Sequence, residues 1–129
     1  QAARSVNNAK ALHIIESIKA ASICFESPTI ACLGLAYKAD IDDLRESPAV
    51  QIAQSIASQI KGSVLIIEPH IQSLPISLKE LENIRLTNLE SAYNEADIIV
   101  LLTDHSLFKE TPPTPRCDQK IIDTRGAWR

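Results

Sequence analysis

Charged side chains are concentrated in residues 37–46, directly after an apolar run. Lys38 and Arg45 flank three aspartates there, and Ser47-Pro48 follows as a helix start, with Ser as the N-cap and Pro at the first helical position. Exposed amides at a helix N-terminus, with two cations beside them, can bind an anion such as a phosphate. The alternative interpretation is a solvated loop with internal ion pairs.

Three other polar segments follow apolar runs of strand length: residues 68–70, 103–105 and 123–125. Ligands of open α/β sheets bind beyond the carboxyl ends of the strands, so we expect these segments at one edge together with residues 37–46. His70 and His105 stand in two of them, where a role near a substrate competes with an ordinary packing role.

The three cysteines, Cys24, Cys32 and Cys117, are widely spaced and form no C-x-x-C motif. No histidine stands at metal-ligand spacing from them, so the sequence predicts no zinc or other metal site. Cys32 lies in an apolar run, where cysteine acts as a small hydrophobic residue. Free thiols of this kind are typical of a cytoplasmic protein without disulfides.

The segments around these residues alternate between strand and helix patterns. Predicted helices cover residues 2–22, 48–60 and 89–95, and predicted strands cover residues 29–35, 64–67, 84–86, 98–102 and 121–122. The helix from Pro48 is expected to end at Lys61-Gly62, with glycine just past its last turn. Strands that are apolar on both faces indicate a parallel sheet covered on both sides. The predicted fold is therefore α/β, a doubly wound, mainly parallel, Rossmann-like sheet preceded by an N-terminal helix.

Composition limits the class of protein. The chain has 129 residues, is 45% hydrophobic and carries a net charge of −3, which fits one ordinary domain and argues against a general nucleic-acid binder. The apolar runs are strand-sized, too short for a membrane span, and no secretory signal is visible. With three glycines and no G-x-G-x-x-G motif, an NAD site formed by this chain alone is not expected. A chain without methionine that begins at Gln1 is expected to be part of a longer protein.

Residues 33–49 read L-G-L-A-Y-K-A-D-I-D-D-L-R-E-S-P-A. This run closely resembles L-G-[LF]-[AS]-[FY]-K-x-[DN]-x-[DG]-D-x-R-x-S-[PS], the signature of the C-terminal, UDP-binding domain of the UDP-glucose/GDP-mannose dehydrogenase family. Residues 3–7, A-R-S-V-N, resemble the A-R-x-V-N of the long central helix that carries dimer contacts in that family. The resemblance implies two parts, residues 1–24 from the central helix and residues 25–129 as the UDP-sugar-binding domain.

Residues 68–70, 103–106 and 123–129 look most like the branch of the family that oxidises UDP-N-acetyl-D-mannosamine. The UDP-glucose branch more often has Tyr-Asp-Pro where Glu68-Pro69 stands. Two alternatives stay open: the same domain from a dehydrogenase of UDP-glucose or another UDP-sugar, and a free-standing nucleotide-sugar binding or oligomerisation module.

The resemblance also implies roles for individual residues. Tyr37 and Lys38 match family positions that hold the UDP-sugar, and Arg125 matches a late arginine that contacts the substrate. Arg45 matches the arginine that reaches NAD, and Asp43 is expected to orient it.

The family is expected to oxidise a sugar 6-hydroxymethyl group to a carboxylate by two hydride transfers to NAD, through a cysteine in a G-G-x-C segment of the central domain. No cysteine here has that context or a nearby lysine to activate it, so we expect no catalytic residue in this chain and no activity from it alone. The expected partners are the UDP-sugar, NAD, the N-terminal and central domains, and a second copy in a homodimer.

Overall fold

The protein is described by a computed structural model over residues 9–35, 48–60, 62–68, 71, 73–74, 76–79, 81–103, 105–111 and 119–124. Helices and strands alternate along these residues. In chain order they are α1 (Ala9–Ser22), β1 (Thr29–Leu33), α2 (Pro48–Gln59), β2 (Ser63–Ile67), α3 (Ile76–Lys79), β3 (Ile84–Leu86), α4 (Leu89–Glu95), β4 (Ile98–Leu101), α5 (Ser106–Glu110) and β5 (Lys120–Asp123).

The five strands form one parallel sheet in the order β3-β2-β1-β4-β5. This confirms the predicted α/β class. β1 is the central strand, and its residues from Ile30 to Leu33 are fully buried because both faces of the sheet are covered. The chain moves outward from β1 to β3 and then returns to the other side of β1, so the switch point lies between β1 and β4.

The two faces of the sheet are covered by different helices. On one face, Ile52 and Ile56 of α2 pack with Ile30 and Val64; on the other, Ala92 of α4 packs with Leu65. Right-handed crossovers require this division, because the connections before and after the switch run in opposite directions. On the face that α2 covers, the crossover helices do not reach β4 and β5. Helix α1 covers these two strands there and also packs on α2. The boundary between residues 24 and 25 stays a prediction.

Three local expectations change. β1 ends at Leu33 and not at residue 35, because Gly34 has a φ of +98° that takes the chain out of the strand. α2 ends at Gln59, and Gly62 is not in the left-handed conformation; it is needed because a Cβ there would lie 1.7 Å from the carbonyl oxygen of Pro28. The short helices α3 and α5 were not expected, since neither is long enough to show a helical period.

Among the residues described, no helix is long and apolar enough to cross a membrane.

Candidate functional site

The carboxyl ends of four strands are aligned at one edge of the sheet, called the carboxyl edge below. Leu33 of β1 pairs with Ile67 of β2 and with Leu101 of β4, and Leu101 pairs with Asp123 of β5. The residues that follow these four therefore emerge together, on both sides of the switch point. This is where ligands of doubly wound folds bind.

Gly34 determines how the chain leaves β1. Its N–H donates to the carbonyl oxygen of Ile67 (2.8 Å), so the first residue past β1 is still attached to β2. A Cβ on Gly34 would lie 2.5 Å from Cβ of Thr103 and 3.0 Å from its backbone nitrogen. Only glycine combines the positive φ with this close approach to the segment after β4.

Glu68 follows β2 and turns its carboxylate into the protein, where only 3% of the residue is exposed. Its Oε1 accepts the backbone N–H of Leu35 at 2.8 Å, across the end of β1. A buried carboxylate is costly unless it is paired and hydrogen-bonded, and this contact supplies part of that compensation.

His105 supplies another part of the compensation for burying the Glu68 carboxylate. Its ring is fully buried, and Nε2 lies 2.9 Å from Oε1 of Glu68. An ionised carboxylate accepts hydrogen bonds and donates none, so an ionised Glu68 requires the proton of this contact to be on Nε2. The carbonyl oxygen of His105 accepts the N–H groups of Phe108 and Lys109, so the same residue begins α5. The sequence leaves open whether His105 lies near a substrate or has an ordinary packing role, and it assigns no role to Glu68. The signal in the sequence for this pair is that each residue follows an apolar strand.

The four site residues named from the sequence, Tyr37, Lys38, Arg45 and Arg125, lie outside the described residues. Their described neighbours are at the carboxyl edge. Before Arg125, the hydroxyl of Thr124 donates to the carbonyl oxygen of Leu101 at 2.5 Å, and so attaches the chain to β4. His70 and Cys117 also lie outside the described residues.

Cys32 lies within β1 and is fully buried. Burial raises the pKa of its thiol to about 12, so it is not ionised near neutral pH and cannot act as a nucleophile there. Cys24 is exposed in the segment between α1 and β1, so it precedes the amino end of β1 and does not follow a strand at the carboxyl edge. Within the described parts of the chain, no three His, Cys, Asp or Glu side chains are grouped closely enough to hold a metal ion.

A groove of about 420 Å³ lies at the opposite edge, between the end of α1 and the end of α2. Pro28, which precedes β1, and Ile60, which follows α2, are among its lining residues, as are Glu16 and Lys19. The two charged groups lie 4.0 Å apart and are well exposed, so their attraction is weak. The groove lies away from the switch point and shows no cluster of like charges that would favour a nucleotide.

The described residues do not form a dinucleotide site of their own. Such a site uses a tight glycine-rich turn between a strand and a helix, and here β1 and α2 are separated by residues 34–47 with Gly34 as the single glycine. Among the described residues that follow the strand ends at the carboxyl edge, none is a cysteine.

Comparison with known proteins agrees with this geometry. Residues 31–129 match the UDP binding domain of the UDP-glucose/GDP-mannose dehydrogenase family. The chain is 47% identical over 126 residues to the NDP-N-acetyl-D-galactosaminuronic acid dehydrogenase of Ralstonia nicotianae, covering 98% of this chain and 29% of that protein. It is 43% identical over 135 residues to the UDP-N-acetyl-D-mannosamine dehydrogenase of Yersinia pestis, covering 98% of this chain and 32% of that protein. The chain thus spans about a third of the length of these relatives.

Solved structures show the same fold. A UDP-D-ManNAc dehydrogenase from Pyrococcus horikoshii superposes with a TM-score of 0.65 at 30% identity, covering 94% of this chain and 27% of that one. A GDP-mannose dehydrogenase from Pseudomonas aeruginosa superposes with a TM-score of 0.69 at 21% identity, covering 92% of this chain and 28% of that one. The signature in residues 33–49, the parallel sheet and the matched residues all lead to one conclusion: this chain belongs to the UDP-glucose/GDP-mannose dehydrogenase family and contains its UDP binding domain.

Proposed function

We propose that this chain is the nucleotide-binding part of an NAD-dependent UDP-sugar 6-dehydrogenase, and that its carboxyl edge binds the UDP portion of the substrate. The observation that carries the proposal is the match over residues 31–129, combined with the strand ends that meet beside the signature segment. The roles assigned to Tyr37, Lys38 and Arg125 toward UDP, and to Arg45 toward NAD, belong to this proposal.

For the sugar, we propose UDP-N-acetyl-D-mannosamine, supported by relatives of that name at 42–43% identity. A specific observation favours a second candidate: the relative at 47% identity is named for the N-acetyl-D-galactosaminuronic acid product. Assaying the full-length protein with both N-acetylated sugar nucleotides, and with UDP-glucose, separates these alternatives by the relative kcat/KM for NADH formation.

The nucleotide-binding claim is tested on this chain. UDP should shift the amide NMR signals of residues 35–38 with weak, salt-sensitive affinity, because a nucleotide that is normally enclosed between domains would lose much of its contact surface. The Lys38→Ala variant should bind more weakly. Lys120→Ala is the matched control, because Lys120 is an exposed cation at the first residue of β5, at the opposite edge. If millimolar UDP shifts none of these amide signals, the proposal is contradicted.

In the full-length enzyme, the two cations should separate kinetically. Loss of a charge-assisted hydrogen bond to a ligand costs about 1.5–3 kcal/mol, or roughly 10–100-fold in affinity. Lys38→Ala should mainly raise KM for the UDP-sugar, and Arg45→Ala should mainly raise KM for NAD. If both variants affect only the UDP-sugar, the assignment of Arg45 to the cofactor fails.

We also propose that this chain alone does not oxidise the sugar. The proposal is supported by the sequence, in which none of the three cysteines stands in a G-G-x-C segment, and by the burial and raised pKa of Cys32, because a thiohemiacetal step needs an accessible thiolate. NADH formation by this chain alone, with UDP-sugar and NAD supplied, would contradict the proposal.

A further inference from the structure

The carboxylate of Glu68 connects three strands at the switch point. The residue follows β2, accepts the backbone N–H of Leu35 beyond β1 at 2.8 Å, and contacts His105 beyond β4 at 2.9 Å. Both contacts are made by the same oxygen, Oε1, in a fully enclosed environment. One side-chain atom therefore contacts both the segment that follows β1 and the segment that follows β4.

The contact with Leu35 fixes the backbone within the first three residues of the signature segment, residues 33–49. The β1–β2 ladder ends with Leu33 opposite Ile67, and Gly34 adds one further hydrogen bond to Ile67. Leu35 is the next residue, and its N–H is held by the Glu68 side chain. In the sequence, Tyr37 and Lys38 follow two and three residues after Leu35.

The contact between Glu68 and His105 is by itself weak evidence for a stabilising role. Buried ionic groups contribute little net stability, and apolar residues of similar volume often replace them without loss. What a buried, hydrogen-bonded carboxylate supplies is one defined geometry for the groups it holds. A binding site gains affinity when the backbone that carries its ligand contacts is already in the bound geometry.

We propose that Glu68 and His105 are positioning residues for the nucleotide: they hold Leu35 so that the following segment meets the diphosphate in a fixed geometry. Glu68 holds the Leu35 N–H, and His105 holds Glu68 while its backbone begins α5. The inference rests on the proposed UDP-binding function and extends it to two residues that do not themselves touch the ligand.

The chain contains a matched control for Glu68. At the other end of β1, Oδ2 of Asp97 accepts the backbone N–H of Thr29 at 3.0 Å. Both residues are carboxylates that hold a backbone amide at one end of the same strand. Asp97 precedes β4, at the edge opposite the proposed nucleotide site, so its loss should affect folding and leave the nucleotide contacts unchanged.

The experiment measures the Kd for UDP by amide NMR titration, and stability by urea unfolding, for the wild type, Glu68→Ala, Glu68→Gln and Asp97→Ala. Glu68→Ala should raise Kd by about tenfold or more, since the Leu35 amide loses its acceptor. Glu68→Gln keeps an acceptor oxygen at the same place and should stay within about threefold of the wild type. Asp97→Ala should bind UDP as the wild type does while also losing stability.

A second measurement does not depend on whether the variants fold. In the wild type, UDP should shift the amide signal of Leu35 and the ring signals of His105, and leave the amide of Thr29 unchanged. Three results would each overturn the positioning role and leave the proposed function standing. The first is wild-type affinity for UDP in a folded Glu68→Ala variant, and the second is an equal loss of affinity in Asp97→Ala. The third is UDP binding that leaves the Leu35 and His105 signals unshifted. Absence of any UDP binding by the wild type would overturn the proposed function, and the positioning role with it.

Discussion

Gly34→Ala tests the close approach between the end of β1 and the segment after β4. A non-glycine residue with the φ of +98° found here loses about 1–2 kcal/mol to backbone strain. The added Cβ would also lie 2.5 Å from Cβ of Thr103 and 3.0 Å from its backbone nitrogen, and neither atom can move by a simple side-chain rotation. Overpacking of this kind costs about 1–3 kcal/mol.

The two contributions add to about 2–5 kcal/mol, and alanine returns about 0.4–1 kcal/mol by restricting the unfolded chain. We therefore expect Gly34→Ala to lower the free energy of unfolding by about 1–5 kcal/mol, a large part of the stability of a small domain. Urea unfolding followed by circular dichroism measures this value. Gln54→Ala, on the exposed side of α2, is the control and should change stability by less than about 0.5 kcal/mol.

Adding Thr103→Gly to Gly34→Ala separates the backbone strain at residue 34 from the steric overlap with Thr103. This change removes the Cβ and Oγ1 of Thr103, so the double variant should recover the overlap with that side chain. It should keep the backbone strain and the contact with the Thr103 nitrogen, giving a coupling of about 1–3 kcal/mol between the two sites. A loss below about 1 kcal/mol for Gly34→Ala, or no coupling in the cycle, would refute the argument.

Four further predictions concern the rest of the fold. Ile56→Ala should cost about 2–5 kcal/mol in a urea melt because Ile56 is fully buried in the core, and Lys38→Ala should be nearly neutral; the opposite order would contradict the division into core and site. Iodoacetamide at pH 8 should label the exposed Cys24 and spare Cys32 in the native protein, as read by peptide mass spectrometry. Because the pKa of Cys32 is raised from 9.0 to about 12, its contribution to stability is complete below pH 9 and is lost as the pH rises toward 12, so Cys32→Ala should flatten the fall in the urea midpoint across that range. Asn88→Ala should cost about 1 kcal/mol in the same melt, since its side chain accepts a backbone N–H of the first turn of α4; an unchanged midpoint would argue against the cap.

Much of the fold could be predicted because its signals are local. β3 and α4 have the predicted bounds, since Asn88 is a clear N-cap and the apolar run from Ile84 is short and bounded by polar residues. The central position of β1 follows from its being apolar on both faces. α5 could not be predicted because its five residues are too few to show a pattern. Its position depends on the packing of Phe108 in the core and on the buried His105 at its start.

The candidate site was also predictable only in part. Lys38, Arg45 and their neighbours form a continuous motif, so the sequence alone was sufficient to identify the family and to assign roles by resemblance. The placement of the carboxyl edge also followed from the alternation of strands and helices, through the rule for open α/β sheets.

By itself, the sequence determined the alternating elements, the two-sided burial of the sheet and the family, because each depends on residue types at short spacing. The tertiary structure decided which strands are neighbours and which polar groups meet at their ends. Glu68 contacts Leu35 and His105, which are 33 and 37 residues away, and Gly34 is required by the position of Thr103. No local pattern records such contacts, because they exist only once the crossovers have brought β2, β1 and β4 side by side and their last residues into one row.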